Sequence, residues 1–350
     1  MMSDLVGMIL CAGLGTRLRP LTERVPKPAV PVCGVPLVRF TLGLLGHAGV
    51  RRAVVNVHHL PDAMARVADA SAQALGMDLA VSREPVIAGT GGALREARRL
   101  LGGAGAILVV NGDVLFDLDL AAALAAHRAS GALATMVLME MPAGATYAAV
   151  EVDEGGAVRR IAGRFGPGGE GLTPWHFTGV HVLSPELLEE VAAAPFELDV
   201  NRHVYPPLMA RGLVRAHRAR GYWNDLGTPA RYLAANEDVL HGRVPLHRFG
   251  SADPFEALEP FYAPGVWAGA RAHLDAGAAL HPPSIIGAGA RVEAGATVGP
   301  SAVIGAGARV AAGARVARAV VWEGTALAPG EEVHDAIAAG ADRVPATPEP

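Results

Sequence analysis

Four stretches of this chain hold residues whose types and spacing suit chemistry on phosphates. In Gly13-Leu14-Gly15-Thr16-Arg17 two glycines allow backbone conformations and close approaches that side chains would block. Such a loop turns several N–H groups toward an anion, and Thr16 and Arg17 add a hydroxyl and a fixed positive charge. Ten residues beyond Arg17, Lys27 stands between Pro26 and Pro28, whose fixed φ angles present the lysine instead of leaving it mobile. Together these groups suggest a polyphosphate site. No Gly-Lys-Ser/Thr ending follows, so this is not a Walker-type loop, and Leu18 stands where a dinucleotide fingerprint wants Gly or Ala.

The second stretch is Asn111-Gly112-Asp113, directly after an apolar run at 106–110. A carboxylate at a strand's end, beside a glycine that clears space, is placed to hold Mg2+ on a nucleotide phosphate. The third runs from Glu84 to Gly89-Thr90-Gly91-Gly92. It reads as a flexible glycine loop suited to lying against a base and ribose, and Glu84 offers two acceptors for the N1–H and amine donors of guanine. The fourth is Trp223-Asn224-Asp225-Leu226-Gly227-Thr228-Pro229, in which Asp225 by itself is an acid in a turn.

The elements that must position these groups alternate. A short apolar run at 8–11 precedes the first loop, then helical patterns at 36–47, 61–75 and 94–101 alternate with strand patterns at 52–57, 79–81 and 106–110. This βαβα rhythm predicts an α/β fold with a mainly parallel, Rossmann-like sheet and helices on both faces. Ligands in such folds sit beyond the carboxyl ends of the strands, where the motifs fall. Further strands are expected at 132–139, 148–152 and 177–183, and a helix at 186–191.

After residue 265 a repeat takes over. Leu274, Leu280, Ile286, Val292, Val298, Ile304, Val310, Val316 and Trp322 fall at intervals of six, with Gly277, Gly289, Gly295, Gly307 and Gly313 three places after such residues. That period predicts a parallel β-helix, of the left-handed hexapeptide kind, in which each coil stacks its aliphatics on the next. The expected organisation is a catalytic domain over 1–243, a proline-bearing linker over 244–265, the β-helix over 266–333 and a tail over 334–350. The tail is expected to carry a short strand at 336–338 and a loose proline-rich end.

Composition sets the remaining bounds. The 350 residues are 51% hydrophobic and 18% charged, enough for a sizeable core, and the net charge is −4. Acids and bases are mixed, which gives no reason to expect nucleic-acid or membrane partners. Two cysteines, Cys11 and Cys33, make no disulfide framework, and no apolar run approaches a membrane span, so a cytoplasmic setting is expected.

The string from Gly13 to Thr22, Gly-x-Gly-Thr-Arg-Leu-x-Pro-Leu-Thr, with Pro26-Lys27-Pro28, closely resembles the signature of the sugar-1-phosphate nucleotidyltransferases. The resemblance implies that Ala12, Gly13, Gly15, Thr16 and Arg17 cradle a triphosphate and that Lys27 neutralises charge between phosphates. Asp113 matches the family's metal-binding Asp, and Asp225 matches the second, in its W-x-D-x-G-T motif. These imply Mg2+ and make Arg17, Lys27, Asp113 and Asp225 the catalytic set. Glu84, Gly89, Thr90 and Gly91 match the base-reading loop, most like that of guanylyl-transferring members. Asn111, Thr178 and Gly179 match the sugar side. The implied substrates are an NTP, best GTP, and a sugar 1-phosphate, best mannose 1-phosphate; repeat domains of this kind imply a homo-oligomer.

Two departures bear on the sugar. Tyr147-Ala148 replaces the frequent Tyr-Gly, and the family's Glu-Lys-Pro, whose lysine binds the sugar's phosphate, is missing between 150 and 178. Arg164 and Arg202 are the candidates to replace that charge. Two other functions compete: an acyltransferase built on the β-helix, with His273 or His281 as its base, and a non-catalytic regulatory paralogue. Retention of Arg17, Lys27, Asp113 and Asp225 argues against the latter.

Overall fold

The computed structural model of the chain describes residues 5–142, 144, 146–192 and 198–347. Its contacts group the chain into two compact units, one of Met1–Gly13 with Thr41–Trp223, the other of Leu14–Phe40 with Asn224–Pro350. The cuts fall inside the first glycine loop and inside the Trp223–Pro229 stretch, not at the expected boundary of 243. The repeats share a unit with the loop that carries Arg17 and Lys27.

The first unit is built on a mixed sheet. Strand Leu5–Leu10 lies between Arg52–Val57 and Ala106–Asn111, with Asp78–Arg83 outermost, all four parallel. The runs MIL and ILVV are apolar on both faces because both faces are covered, and their side chains are buried. Thr173–Leu183 then pairs antiparallel with Ala106–Asn111, and also with Ala134–Met139 and Ala149–Val152. Helices Pro61–Ala74 and Leu120–Ser130 pack on this sheet. The second has Asp119 as N-cap, accepting from the Ala122 N–H at 2.9 Å, and ends on Gly131 in the left-handed region. Register places Leu10, Asn56, Ser82 and Asn111 side by side at the carboxyl ends. The expected helix at 94–101 forms earlier, at Gly89–Glu96, so the glycines open it and are not a flexible loop.

In the second unit the repeat forms parallel columns. Leu274, Val292 and Val310 align, as do Leu280, Val298 and Val316, each 18 residues from its neighbour. Beyond Val316 the period slips. Ile304 aligns with Val321, Val310 with Leu327 and Val316 with Val333, each 17 residues on. The corner between Val316 and Val321 is one residue shorter than its predecessor and turns through Arg318 at φ 46°. Val321 therefore faces the core, and Trp322, expected to continue the interior series, faces out. The expected boundary at 333/334 also falls inside a strand, Glu332–Ala339, which pairs with Arg315–Val321 and with Asp342–Pro345. Residues 348–350 of the expected loose end lie outside the described residues.

An outer column, Ile285, Val303, Val320 and Ile337, is buried as well. Helix Pro229–Leu240 lies against the strands that carry Val320 and Ile337. From it the Tyr232 hydroxyl donates to the Pro31 carbonyl at 2.5 Å and accepts from Trp322 Nε1–H at 3.0 Å. Asn236 adds a second tie, its Oδ1 accepting from the Cys33 N–H at 2.7 Å. The Pro26–Val35 stretch is thus laced to the coil through one helix. In the segment expected as linker, Phe249 is buried edge-on against Phe40. Among the described residues no helix is long and apolar enough to cross a membrane.

Tyr232→Phe should leave both the Pro31 carbonyl and the Trp322 N–H without this partner, costing about 1–3 kcal/mol in denaturant unfolding. An unchanged midpoint would show that the hydroxyl ties nothing.

Candidate active site

In the second unit the glycine loop, Lys27 and Asp225 come together. Gly15 sits at φ 61°, and its carbonyl accepts from the Thr22 hydroxyl at 2.8 Å. A Cβ there would lie 3.0 Å from Thr22 Cγ2 and 3.1 Å from Lys27 Cβ, so glycine is required twice over. Thr16 and Arg17 follow, exposed, on a 3-10 turn. Lys27 is only 5% exposed, and its ammonium donates to the Asp225 carbonyl at 2.8 Å. Two residues on, a Cβ on Gly227 would lie 2.9 Å from Arg17 Nη1 and 3.0 Å from Asp225 Oδ2, so this glycine makes room for the guanidinium beside the carboxylate.

Arg231, a residue the sequence reading missed, reaches both Asp225 oxygens at 3.0 Å through one Nη. It lies in the first turn of the helix that Thr228 caps, six residues past Asp225, and nothing in its spacing advertises the contact. Burial pushes the Asp225 carboxyl up, but Arg231, the Gly227 N–H and Lys27 outweigh it and hold the group below the ordinary carboxylate range. The acid is thus kept ionised, ready for a cation.

In the first unit the other expected residues sit at the carboxyl edge of the sheet. Ala12 is buried and Gly13 exposed just past Leu5–Leu10. Asn111 ends its strand, and Gly112 lets that chain cross tightly: a Cβ would lie 2.7 Å from Cys11 Sγ and 2.9 Å from the Leu10 carbonyl. Asp113 follows, half-buried. Gly179, at φ 81° in an irregularity of its strand, faces Asn111, whose Nδ2 would lie 2.8 Å from an added Cβ. Thr178 is buried and its hydroxyl donates to the Val137 carbonyl, so only its main chain faces outward contacts; its carbonyl accepts from Trp223 Nε1–H at 2.8 Å.

The expected base loop has a different use of its residues. Gly89 and Gly91 pack on Leu198, where Cβ atoms would approach to 2.7 Å, and the N–H groups of Gly91 and Gly92 donate to the Leu198 carbonyl. Thr90 Oγ1 accepts from the Val200 N–H at 3.0 Å. Glu84 is 5% exposed; its Oε1 accepts from Asn56 Nδ2 at 2.7 Å and its Oε2 from the Ala88 N–H at 3.3 Å. Elsewhere in the unit the guanidinium groups of Arg164 and Arg202 lie 4.7 Å and 5.6 Å from the centroid of one ring, Phe165. The two candidate cations from distant segments are thus brought to one place.

The donor chemistry suits the expected ion. Asp113 and Asp225 both offer carboxylate oxygens, the hard ligands Mg2+ takes, and among the described residues no three His, Cys, Asp or Glu side chains form a protein-only cage. By contrast His273, a candidate acyltransferase base, is exposed and bonded to Asp275 at 2.7 Å, next to the Asp275–Arg291 pair on the outer surface of the coil.

Comparison with known proteins agrees with this geometry. The family profile described as nucleotidyl transferase matches residues 6–242. This chain belongs to the nucleotidyl transferase family. A second profile, for bacterial transferase hexapeptides with six repeats, matches residues 283–318. Among relatives, the transferase is 30% identical over 234 residues to the mannose-1-phosphate guanylyltransferase catalytic subunit beta of Danio rerio, covering 65% of this chain and 62% of that one. It is 30% identical over 241 residues to the mannose-1-phosphate guanylyltransferase of Mycobacterium tuberculosis, covering 68% and 65%. The matched part therefore spans somewhat under two thirds of either relative. The fold is shared with a putative glucose-1-phosphate thymidylyltransferase from Bacillus anthracis, solved in complex with a sucrose, with a TM-score of 0.57 at 19% identity over 67% of this chain and 94% of that one.

Gly15→Ala should destabilise the transferase by about 1–2 kcal/mol, the cost of a left-handed conformation for an L residue, before any crowding of Thr22 and Lys27 is counted. Equilibrium urea unfolding measures it, and a loss below a few tenths would mean the loop relaxes freely.

Proposed function

We propose that this chain transfers a nucleotidyl group from a nucleoside triphosphate to a sugar 1-phosphate, with GTP and mannose 1-phosphate as the pair its relatives favour. The observation that carries the reading is the cluster in the second unit: Arg17, Lys27 and Arg231 gathered about Asp225, with Lys27 arriving from 198 residues away. Such a concentration of fixed cations beside an ionised carboxylate suits a triphosphate with its metal better than any neutral ligand.

In the reaction a phosphate oxygen of the acceptor attacks the α-phosphorus. The new P–O bond forms as the bond from the α-phosphorus to the bridging oxygen breaks, and pyrophosphate leaves with that electron pair. The attacking oxygen is already ionised at neutral pH, so no general base is needed, and catalysis is positioning and charge neutralisation. Ala12, Gly13, Gly15 and Thr16 line the triphosphate. Arg17 takes the developing charge of the leaving pyrophosphate, and Lys27, held by the Asp225 carbonyl, neutralises the α-phosphate and the incoming phosphate. Asp113 and Asp225 would hold Mg2+, which when bound supplies further neutralisation of phosphate charge.

Asn111 and the Gly179 backbone face the sugar hydroxyls. Thr178 contributes through its main chain, its hydroxyl being committed to Val137. Arg164 and Arg202 take the place of the missing lysine as a pair. Both stack on Phe165, and two like charges on one ring are best relieved by a phosphate that accepts from both.

Pyrophosphate release, assayed with Mg2+ over four NTPs and several sugar 1-phosphates, tests the reading. Turnover confined to GTP with mannose 1-phosphate is expected. Another NTP would keep the chemistry and discard the guanine assignment, and silence across the grid would overturn the enzyme. Lys27→Ala should lose at least ~10²-fold in kcat, and Arg164→Ala or Arg202→Ala should raise KM for the sugar phosphate about tenfold at little cost in KM for the NTP.

A further inference from the structure

One buried polar chain in the first unit is not used by the chemistry above. The Cys11 N–H, at the start of the first glycine loop, donates to Asn56 Oδ1 at 2.8 Å. Asn56 Nδ2 donates to Glu84 Oε1 at 2.7 Å, and Glu84 Oε2 accepts from the Ala88 N–H at 3.3 Å. Asn56 and Glu84 are 3% and 5% exposed. His58 Nδ1 lies 2.9 Å from the Glu84 carbonyl, and the Glu84 N–H donates to Val57, so the main chain at 84 is held too. The far end of the segment is fastened separately: the Ala88 carbonyl accepts from the Leu198 N–H, and the N–H groups of Gly91 and Gly92 donate to the Leu198 carbonyl. Between these fastenings Val86 and Ile87 stand out, 59% and 37% exposed, the large apolar side chains of a loop with no slack.

Each member of the chain has a single workable polarity. A backbone N–H at Cys11 demands an acceptor, which orients the Asn56 amide; the amide nitrogen then demands an acceptor at residue 84; and the Ala88 N–H demands a second acceptor on the same side chain. A carboxylate meets both demands. The reason for an acid at 84 is then internal, and its oxygens face protein donors.

We infer that Asn56 and Glu84 are positioning residues for the nucleotide. They lock the start of the phosphate loop to the 84–88 loop, which presents the Val86–Ile87 apolar surface to the base, and Glu84 does not itself read the base. This inference rests on the nucleotidyl-transfer reading for its kinetic assay, but the binding of nucleotide tests it separately. Discrimination among bases then comes from elsewhere on the loop.

The test uses the full chain with Asn56→Asp, Glu84→Gln and the double variant, reading kcat and KM for four NTPs, with melting curves to certify folding. Either single change sets like groups against each other, acid to acid or N–H to N–H. KM should rise about tenfold or more for every NTP that turns over, with kcat little changed and the order of NTP preference kept. In the double variant the donor and acceptor exchange. The amide introduced at 84 donates to one oxygen of the carboxylate introduced at 56, whose other oxygen still accepts from the Cys11 N–H. The amide oxygen at 84 accepts from the Ala88 N–H. KM should return to within about threefold of the parent, a coupling that only a direct bridge produces. Should the parent turn over no NTP, calorimetric Kd values for the same nucleotides replace KM, so that failure of the enzyme reading and of this one are told apart. Selective loss of GTP in Glu84→Gln, unrescued by Asn56→Asp, would make Glu84 the base reader and overturn the inference. Unchanged KM or Kd in folded single variants would overturn it as well.

Discussion

Asp225 is held by both of its ends, and much of the second unit follows from that. Its carbonyl takes the Lys27 ammonium while its carboxylate takes Arg231, so one residue fixes a cation on its main chain and is itself fixed by another. Removing a buried lysine from water is costly unless its protons find acceptors, and a main-chain oxygen satisfies one without cancelling the charge. A carboxylate partner would have neutralised it. Lys27 therefore keeps its full charge for phosphate, and Asp225 keeps a carboxylate of lowered proton affinity for a cation. Gly15 and Gly227 are the spatial conditions of this arrangement, each at a place where a Cβ would press on Lys27 or Arg17.

The first unit meets the same need by different means. Four parallel strands end in register, so Cys11, Asn56, Glu84 and Asn111 emerge at one edge without long loops to place them. What loops there are have been shortened in effect by hydrogen bonds to buried side chains and to Leu198. Glycine here serves close packing more than flexibility. Gly89 and Gly91 exist to admit Leu198, and Gly112 admits Cys11.

Much of this was legible in the sequence because it depends on local pattern. Continuous apolar runs such as that ending at Asn111 announce buried parallel strands, and the six-residue period announces stacked coils. Gly13 to Lys27 is a dense local string, and residues so spaced have few other uses. The contacts that decide roles were not legible. Arg231 meets Asp225, Asn56 meets Glu84 and Arg164 meets Arg202 only through folding, and each is an unremarkable residue in its own stretch. A glycine-rich segment reads as mobile until its partner, Leu198, is seen a hundred residues away. Periodicity also overreached at Trp322, because a corner shortened by one residue leaves a large apolar side chain at the sixth place by coincidence.

That short corner divides the coil into parts with different freedom to change. Upstream of it, every coil repeats at 18 residues and offers its neighbours the same stacking surfaces. A whole coil inserted or lost there would leave the later columns in phase. The coils at and beyond the corner carry Trp322 and the strands against which helix Pro229–Leu240 lies, and through Tyr232 they connect to Pro31, four residues past Lys27. A change of length there would rotate Trp322 away from its hydroxyl and disturb that connection. Descendants of this chain can thus vary in the number of early coils while the late ones stay as they are, so the repeat array is open to growth at one end only.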